Sequence, residues 1–214
     1  MNSYEAHNKD YEEKGKLEEE LLIHNLKTKH GLSQSGGMWD NLYKPGHLHG
    51  KWLDSQKEIK DAVDIGCGTG WFVNYLKDYK NFENVVGIEP SQSAINIAKK
   101  LHDNDITYLC GMAEEMLSNV TLTKPTLFTT FIVLSHLPDD VVAKILKDMD
   151  KIAPEKSVFI FNENYGNSFH RNLWHCRTKE WWEQKLQNWE ITYDERPRPD
   201  LGYYNQGIMG VKKV

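Results

Sequence analysis

A chain of 214 residues, 39% hydrophobic and 27% charged with 7 Trp, 10 Tyr and 7 Phe, is long enough for one well-buried core and too aromatic to stay disordered. Its 26 Lys and Arg against 31 Asp and Glu give a formal charge of −5 with the basic residues dispersed, which disfavours nucleic acid as main partner because duplex affinity comes from neutralised phosphates. No run of 18 apolar residues occurs, residues 1–5 begin no secretory signal, and Cys67, Cys110 and Cys176 lack paired spacing, so the expectation is a cytoplasmic protein with no membrane partner, disulfide framework or zinc cluster.

In chain order, residues 10–30 are densely charged with Leu17, Leu21, Leu22 and Leu26 at helical spacing and Gly31 as a stop, which predicts a helix laid on the body. Residues 33–50 turn to Gly, Ser, His and Trp, which predicts a loop. Helix and loop, residues 1–50, are expected to form a lid beside a main domain over 51–214. Short apolar runs at 61–65, 85–88, 106–109, 127–134 and 158–161 predict five strands, and those at 190–194 and 207–211 an antiparallel pair. Helices are predicted straight after Gly70, from Ser91 with Ala94, Ala98 and Leu101 on one face, from Pro138 to about 152 with Asp139 and Asp140 in the first turn, and over 179–189 capped by Thr178. This order implies an α/β fold: a doubly wound, mostly parallel, seven-stranded Rossmann-like sheet with an antiparallel C-terminal hairpin and an N-terminal helical lid.

The chemistry concentrates in Val63-Asp64-Ile65-Gly66-Cys67-Gly68-Thr69-Gly70, between the first strand and the helix after it. In a doubly wound sheet ligands sit beyond the C-terminal ends of the strands, and glycines there let ligand atoms approach the backbone. A dinucleotide fingerprint, Gly-x-Gly-x-x-Gly, needs its third glycine at the place held by Trp71, whose indole would crowd a pyrophosphate. The third glycine is Gly70, and Gly-x-Gly-x-Gly with an acid two residues before the first glycine resembles the first motif of the class I S-adenosylmethionine-dependent methyltransferases.

The resemblance continues through Val85-Val86-Gly87-Ile88-Glu89-Pro90-Ser91, which puts an acid at the second strand tip, 19 residues past Gly70. It implies S-adenosyl-L-methionine as cofactor and Glu89, beside Pro90, as the acceptor from both ribose hydroxyls, which one carboxylate can serve. Cys110-Gly111-Met112-Ala113-Glu114 follows the third strand where the family contacts adenine, so Met112, Ala113 and Glu114 are adenine-side candidates. Gly111 stands where the family usually has an acid, which leaves the acceptor of the adenine amino group open. Asp64, Gly66, Cys67, Gly68, Gly70 and Val133 complete the implied cofactor set. In Val133-Leu134-Ser135-His136-Leu137 a His-Leu pair ends the fourth strand, as in many small-molecule methyltransferases.

His136 reads either as a general base, since imidazole titrates near neutrality, or as a histidine packed at a strand end. Glu163 and Tyr165, after the fifth strand, are the second choices for the base. Trp39, Tyr43, Trp174, Trp181 and Trp182 suggest an acceptor pocket, although Trp181, Lys185 and Trp189 at helical spacing equally suit one packed helix face. His47, His49, His170, His175 and Cys176 contain ligand types without a zinc spacing, so no metal is expected. The sequence lacks the Asn/Asp-Pro-Pro-aromatic tetrapeptide of enzymes that methylate DNA-base amines, and it lacks the strand-end carboxylates of the metal-dependent catechol type. The resulting expectation is transfer of a methyl group to an oxygen or nitrogen of a small polar metabolite, with an NAD(P)-dependent oxidoreductase and a non-catalytic S-adenosylmethionine-binding subunit as alternatives.

Overall fold

The structure is a computed structural model that describes residues 48–78, 80–102, 105–165, 175, 177–198 and 203–213, without the side chains of 48–50, 164–165, 194–198 and 203–206. The expected helix over 10–30, most of the loop over 33–50, and Trp39, Tyr43, His47, His170, Trp174 and Cys176 lie outside the described residues. The first described helix, α1 (Leu48–Ser55), crosses the expected boundary at residue 50.

The described residues form seven strands, β1 (Asp61–Ile65), β2 (Asn84–Glu89), β3 (Thr107–Cys110), β4 (Thr126–Phe131), β5 (Val158–Tyr165), β6 (Trp189–Arg198) and β7 (Tyr203–Lys212). They form one sheet in the order β3-β2-β1-β4-β5-β7-β6. The first five pair in parallel, and β7 runs antiparallel to both β5 and β6. The helices are α2 (Trp71–Asp78), α3 (Gln92–Leu101), α4 (Ala113–Met116), α5 (Asp139–Ile152) and α6 (Lys179–Lys185). Two of them start at the expected caps: Ser91 Oγ accepts from Ala94 N, and Thr178 Oγ1 accepts from Trp181 N.

Strand side chains alternate between two apolar layers. Phe159 and Phe161 of β5 pack with Phe128, Trp182 and the buried face of α5 (Val142, Ile145, Leu146, Met149), whereas Val158 and Ile160 pack with Phe72, Val73 and Leu76 of α2. Each fully buried aromatic or branched side chain contributes roughly 1.5–3 kcal/mol relative to exposure. Every residue of β1 is buried, as a central parallel strand covered on both faces requires.

Several expected boundaries move for tertiary reasons: β5, expected to end at 161, runs to Tyr165 along β7, and the hairpin strands expected over 190–194 and 207–211 run over Trp189–Arg198 and Tyr203–Lys212. The fourth strand, expected to reach residue 134, stops at Phe131, because Ile132 adopts φ 56° and the next residues wind into a 3-10 turn over Leu134–His136. The helix expected to reach 189 ends at Lys185, and Trp189 begins β6. There its indole donates to Asp150 Oδ1 at 3.0 Å and packs edge-on against Phe159. Trp189 therefore does not share a helix face with Trp181 and Lys185. Trp182 is buried against Phe161, and Trp181 lies between Arg177 and Lys185.

Candidate active site

The strand order reverses at β1, with β2 on one side and β4 on the other, and a crevice opens there beyond the strand C-termini. It is lined by Gly66 and Gly68 after β1, Glu89 and Pro90 after β2, Ala113 and Glu114 after β3, and Val133 and His136 after β4. Ile65, Ile88, Phe131 and Ile132 supply apolar wall that nothing in the sequence singles out, and Leu137 of the His-Leu pair joins them.

The loop 66–70 is built for close approach. Gly66 and Cys67 both donate to Ile88 O, at 2.8 and 3.0 Å, which folds the loop back over the end of β2. Gly68 has φ 54°, and a Cβ placed on it would meet nothing within 4 Å, so this backbone faces open crevice. Gly70 has φ 80°, and a Cβ there would lie 2.5 Å from the Tyr108 hydroxyl and 3.0 Å from Ala98. Gly70 thus serves packing beneath the loop, where His102 also meets the Thr69 carbonyl and the Trp71 ring. Cys67 is buried on the same underside, its thiol pushed well above its ordinary range by burial and by Asp64 and Glu89. It is a packing group of low nucleophilicity.

Glu89 is the hub of the crevice. Its Oε2 accepts from Gly68 N at 3.0 Å and its Oε1 from Ser91 N at 3.0 Å, so one carboxylate ties the glycine loop to the start of α3. Burial raises its carboxyl above the usual range, opposed by these two amides. A carboxylate has about four acceptor positions, so each Glu89 oxygen keeps capacity for a further donor such as a vicinal diol.

Asp64 sits one layer deeper, 2% exposed, and does not line the crevice. Thr129 Oγ1 donates to its Oδ1 at 2.7 Å, and burial pushes its pKa up to about 7. Because the folded pKa lies above the unfolded value of 3.8, the folded state binds the extra proton between those values and loses stability as pH rises through them. Asp64→Asn is therefore expected to raise the melting temperature at pH 8, by an amount corresponding to on the order of 2–4 kcal/mol, and to give no gain near pH 3.5. Equal effects at both pH values in a thermal unfolding series would contradict this assignment.

Of the cofactor-side expectations, Gly66, Gly68, Glu89, Pro90, Ala113, Glu114 and Val133 converge on the crevice, while Asp64, Cys67, Gly70 and Met112 support it from outside its lining. Met112 immediately precedes α4 as its cap. Among the base candidates, His136 lines the crevice. Glu163 does not: it is 1% exposed, and its two oxygens accept four hydrogen bonds, one from Thr130 of β4 and three from the backbone of the segment after it. Tyr165 ends β5, and its side chain lies outside the described residues. Among the described residues no three His, Cys, Asp or Glu side chains gather as a metal site. None of the described helices is long and apolar enough to cross a membrane.

Residues 62–154 match the family model of the methyltransferase domain. Solved structures share the fold at low identity. The magnesium protoporphyrin IX methyltransferase of Synechocystis PCC 6803 with bound SAH is 14% identical, with 89% of this chain and 100% of that chain covered and a TM-score of 0.58. A SAM-dependent methyltransferase from Archaeoglobus fulgidus is 12% identical over 91% of this chain and 94% of that one, with a TM-score of 0.62. An S-adenosylmethionine-dependent methyltransferase from Mesorhizobium loti is 17% identical over 77% and 97%, with a TM-score of 0.60. No curated protein matches the sequence. The fold is that of the class I methyltransferases.

Proposed function

We propose that the chain transfers the methyl group of S-adenosylmethionine to an oxygen or nitrogen of a small polar metabolite, with His136 as the base. The observation that carries this reading is the convergence of the open Gly68 backbone, the Glu89 carboxylate and the His136 side chain on one crevice. The donor set fits the cofactor. Glu89 would accept from the ribose hydroxyls, Gly66 and Gly68 would lie against the amino-acid portion, and Pro90, Ala113 and Glu114 would border the adenine. The glycine spacing and the family match favour this cofactor over a nicotinamide dinucleotide.

When bound, S-adenosylmethionine supplies a methyl group on a positively charged sulfur leaving group. The protein's own work is then to hold the acceptor atom in line behind that methyl, to keep water out, and to receive the proton that an alcohol or ammonium acceptor must lose. Phe131, Ile132, Val133 and Leu137 provide the dry wall, and His136 on the same wall takes the proton. The charge balance and the absence of an Asn/Asp-Pro-Pro-aromatic tetrapeptide favour a metabolite over a nucleic acid. Incubating the protein with methyl-labelled S-adenosylmethionine and a fractionated metabolite pool tests the reading. Label is expected in a small polar product. Label only in macromolecules, or bound cofactor with no transfer to any fraction, would favour another acceptor class or a non-catalytic binding subunit.

A further inference from the structure

The wall that carries His136 is held from behind by two buried charges of opposite sign. From β5, Glu163 Oε1 accepts from Thr130 Oγ1 at 2.7 Å and from the amides of Val133 and Leu134 at 3.1 Å each, while Oε2 accepts from Ser135 N at 2.9 Å. Three successive backbone N–H groups thus converge on one carboxylate, a concave arrangement suited to an anion. At the other end of the same turn, Arg177 donates through Nη1 to Leu134 O at 2.7 Å and through Nη2 to Leu137 O at 2.5 Å. Its Nε faces Asp139 Oδ1 at 2.9 Å, at the start of α5. Glu163 and Arg177 are 1% and 3% exposed, and burial of such charges is sustained only where their hydrogen-bonding positions are filled.

The segment they hold contains a strained residue. Ile132 adopts φ 56°, a left-handed conformation that is a genuine outlier for a β-branched side chain. Such strain costs on the order of 1–3 kcal/mol and persists only where the surroundings over-determine it. Here Ile132 N donates to Asn162 O at 2.7 Å and the Glu163 bonds begin at the very next amide, so β5 fixes the conformation from both directions. Ile132, Val133, His136 and Leu137 all line the crevice.

We propose that Glu163 and Arg177 are a pair of positioning residues, a charged clamp that sets the Ile132–Leu137 wall and the turn bearing the His136 imidazole in their ligand-receiving conformation before any ligand arrives. Glu163 acts through the backbone of this turn and does not take the acceptor's proton. The inference deepens the proposed function and rests on it for the identity of the ligand, though not for the clamp itself.

Glu163→Gln keeps the shape but turns one acceptor oxygen into a donor facing N–H groups. Arg177→Lys keeps the charge but loses the fork that spans Leu134 O and Leu137 O. The test compares these variants with the parent by thermal unfolding, by calorimetric titration with S-adenosylhomocysteine, and by nuclear magnetic resonance of the ligand-free protein. In the parent, the amide protons of Val133, Leu134 and Ser135 are expected downfield, as bonds to a carboxylate require. In each variant that retains a cooperative unfolding transition, those signals and the His136 ring signals should shift, and affinity for S-adenosylhomocysteine should fall at least tenfold. A folded variant with parental affinity and unmoved His136 signals overturns the proposal, even where the amide signals move. Arg177→Lys decides the matter if Glu163→Gln does not fold. A parent that binds no S-adenosylhomocysteine would count against the cofactor reading, and the amide and His136 shifts in ligand-free protein would still decide whether the clamp exists.

Discussion

Replacing His136 by Ala is expected to lower methyl-transfer turnover by roughly 10²–10⁴-fold, the usual contribution of a general base, while leaving affinity for the cofactor within about threefold of the parent. The separation follows from geometry: His136 lies on the β4 side of the crevice, whereas Glu89, the carboxylate proposed to accept from the ribose, ends β2. The pH profile carries further information. A neutral imidazole accepts a proton and an imidazolium does not, so turnover in the parent should fall on the acid side of the histidine's titration, and the variant should lack that limb. Parental turnover with an unchanged profile would make His136 a packed wall residue. The base would then be sought first at Tyr165, His47 and His49.

Replacing Glu89 by Ala should weaken S-adenosylhomocysteine binding by about 10- to 100-fold, because bonds to a charged acceptor are worth roughly 1.5–3 kcal/mol. Two losses combine. The ribose hydroxyls lose their acceptor, and Gly68 N and Ser91 N lose the group that sets the loop against α3. Glu89→Gln separates them, since an amide keeps one acceptor oxygen and should retain part of the affinity. The raised carboxyl pKa also fixes the direction of the pH effect. Acidification protonates Glu89 and removes acceptor capacity, so parental affinity should decline on the acid side, and Glu89→Gln should not show that decline. An unchanged dissociation constant in Glu89→Ala, measured by calorimetry, would reduce Glu89 to a loop tie.

The parts of the fold that were legible in the sequence carry local signals. The run Asp61–Ile65 followed by alternating glycines announces β1 and its loop, and Ser91 and Thr178 announce the starts of α3 and α6. The end of β4 carries no such signal. Phe131, Ile132, Val133 and Leu134 are uniformly apolar, with nothing in the sequence to mark a turn, and the turn is imposed by Glu163 about 30 residues away. For the same reason Glu163 is visible in the sequence only as an acid past a strand, where it resembles a base. Its burial and its four donors come from packing of β5 beside β4. Arg177 is invisible in the sequence, because a single arginine before a capping threonine has no pattern that marks it as buried. The helical periodicity continues through 189, while the helix ends at Lys185 and Trp189 is claimed by the ladder with β7.

The central claim, that the crevice at the end of β1 is built for S-adenosylmethionine, is tested most directly by calorimetric titration of the full chain with S-adenosylhomocysteine and, in parallel, with NAD. The expected result is saturable one-site binding of S-adenosylhomocysteine in the micromolar range, as suits a metabolite-level cofactor, and no heat of binding with NAD. Binding of NAD with none of S-adenosylhomocysteine would contradict the account.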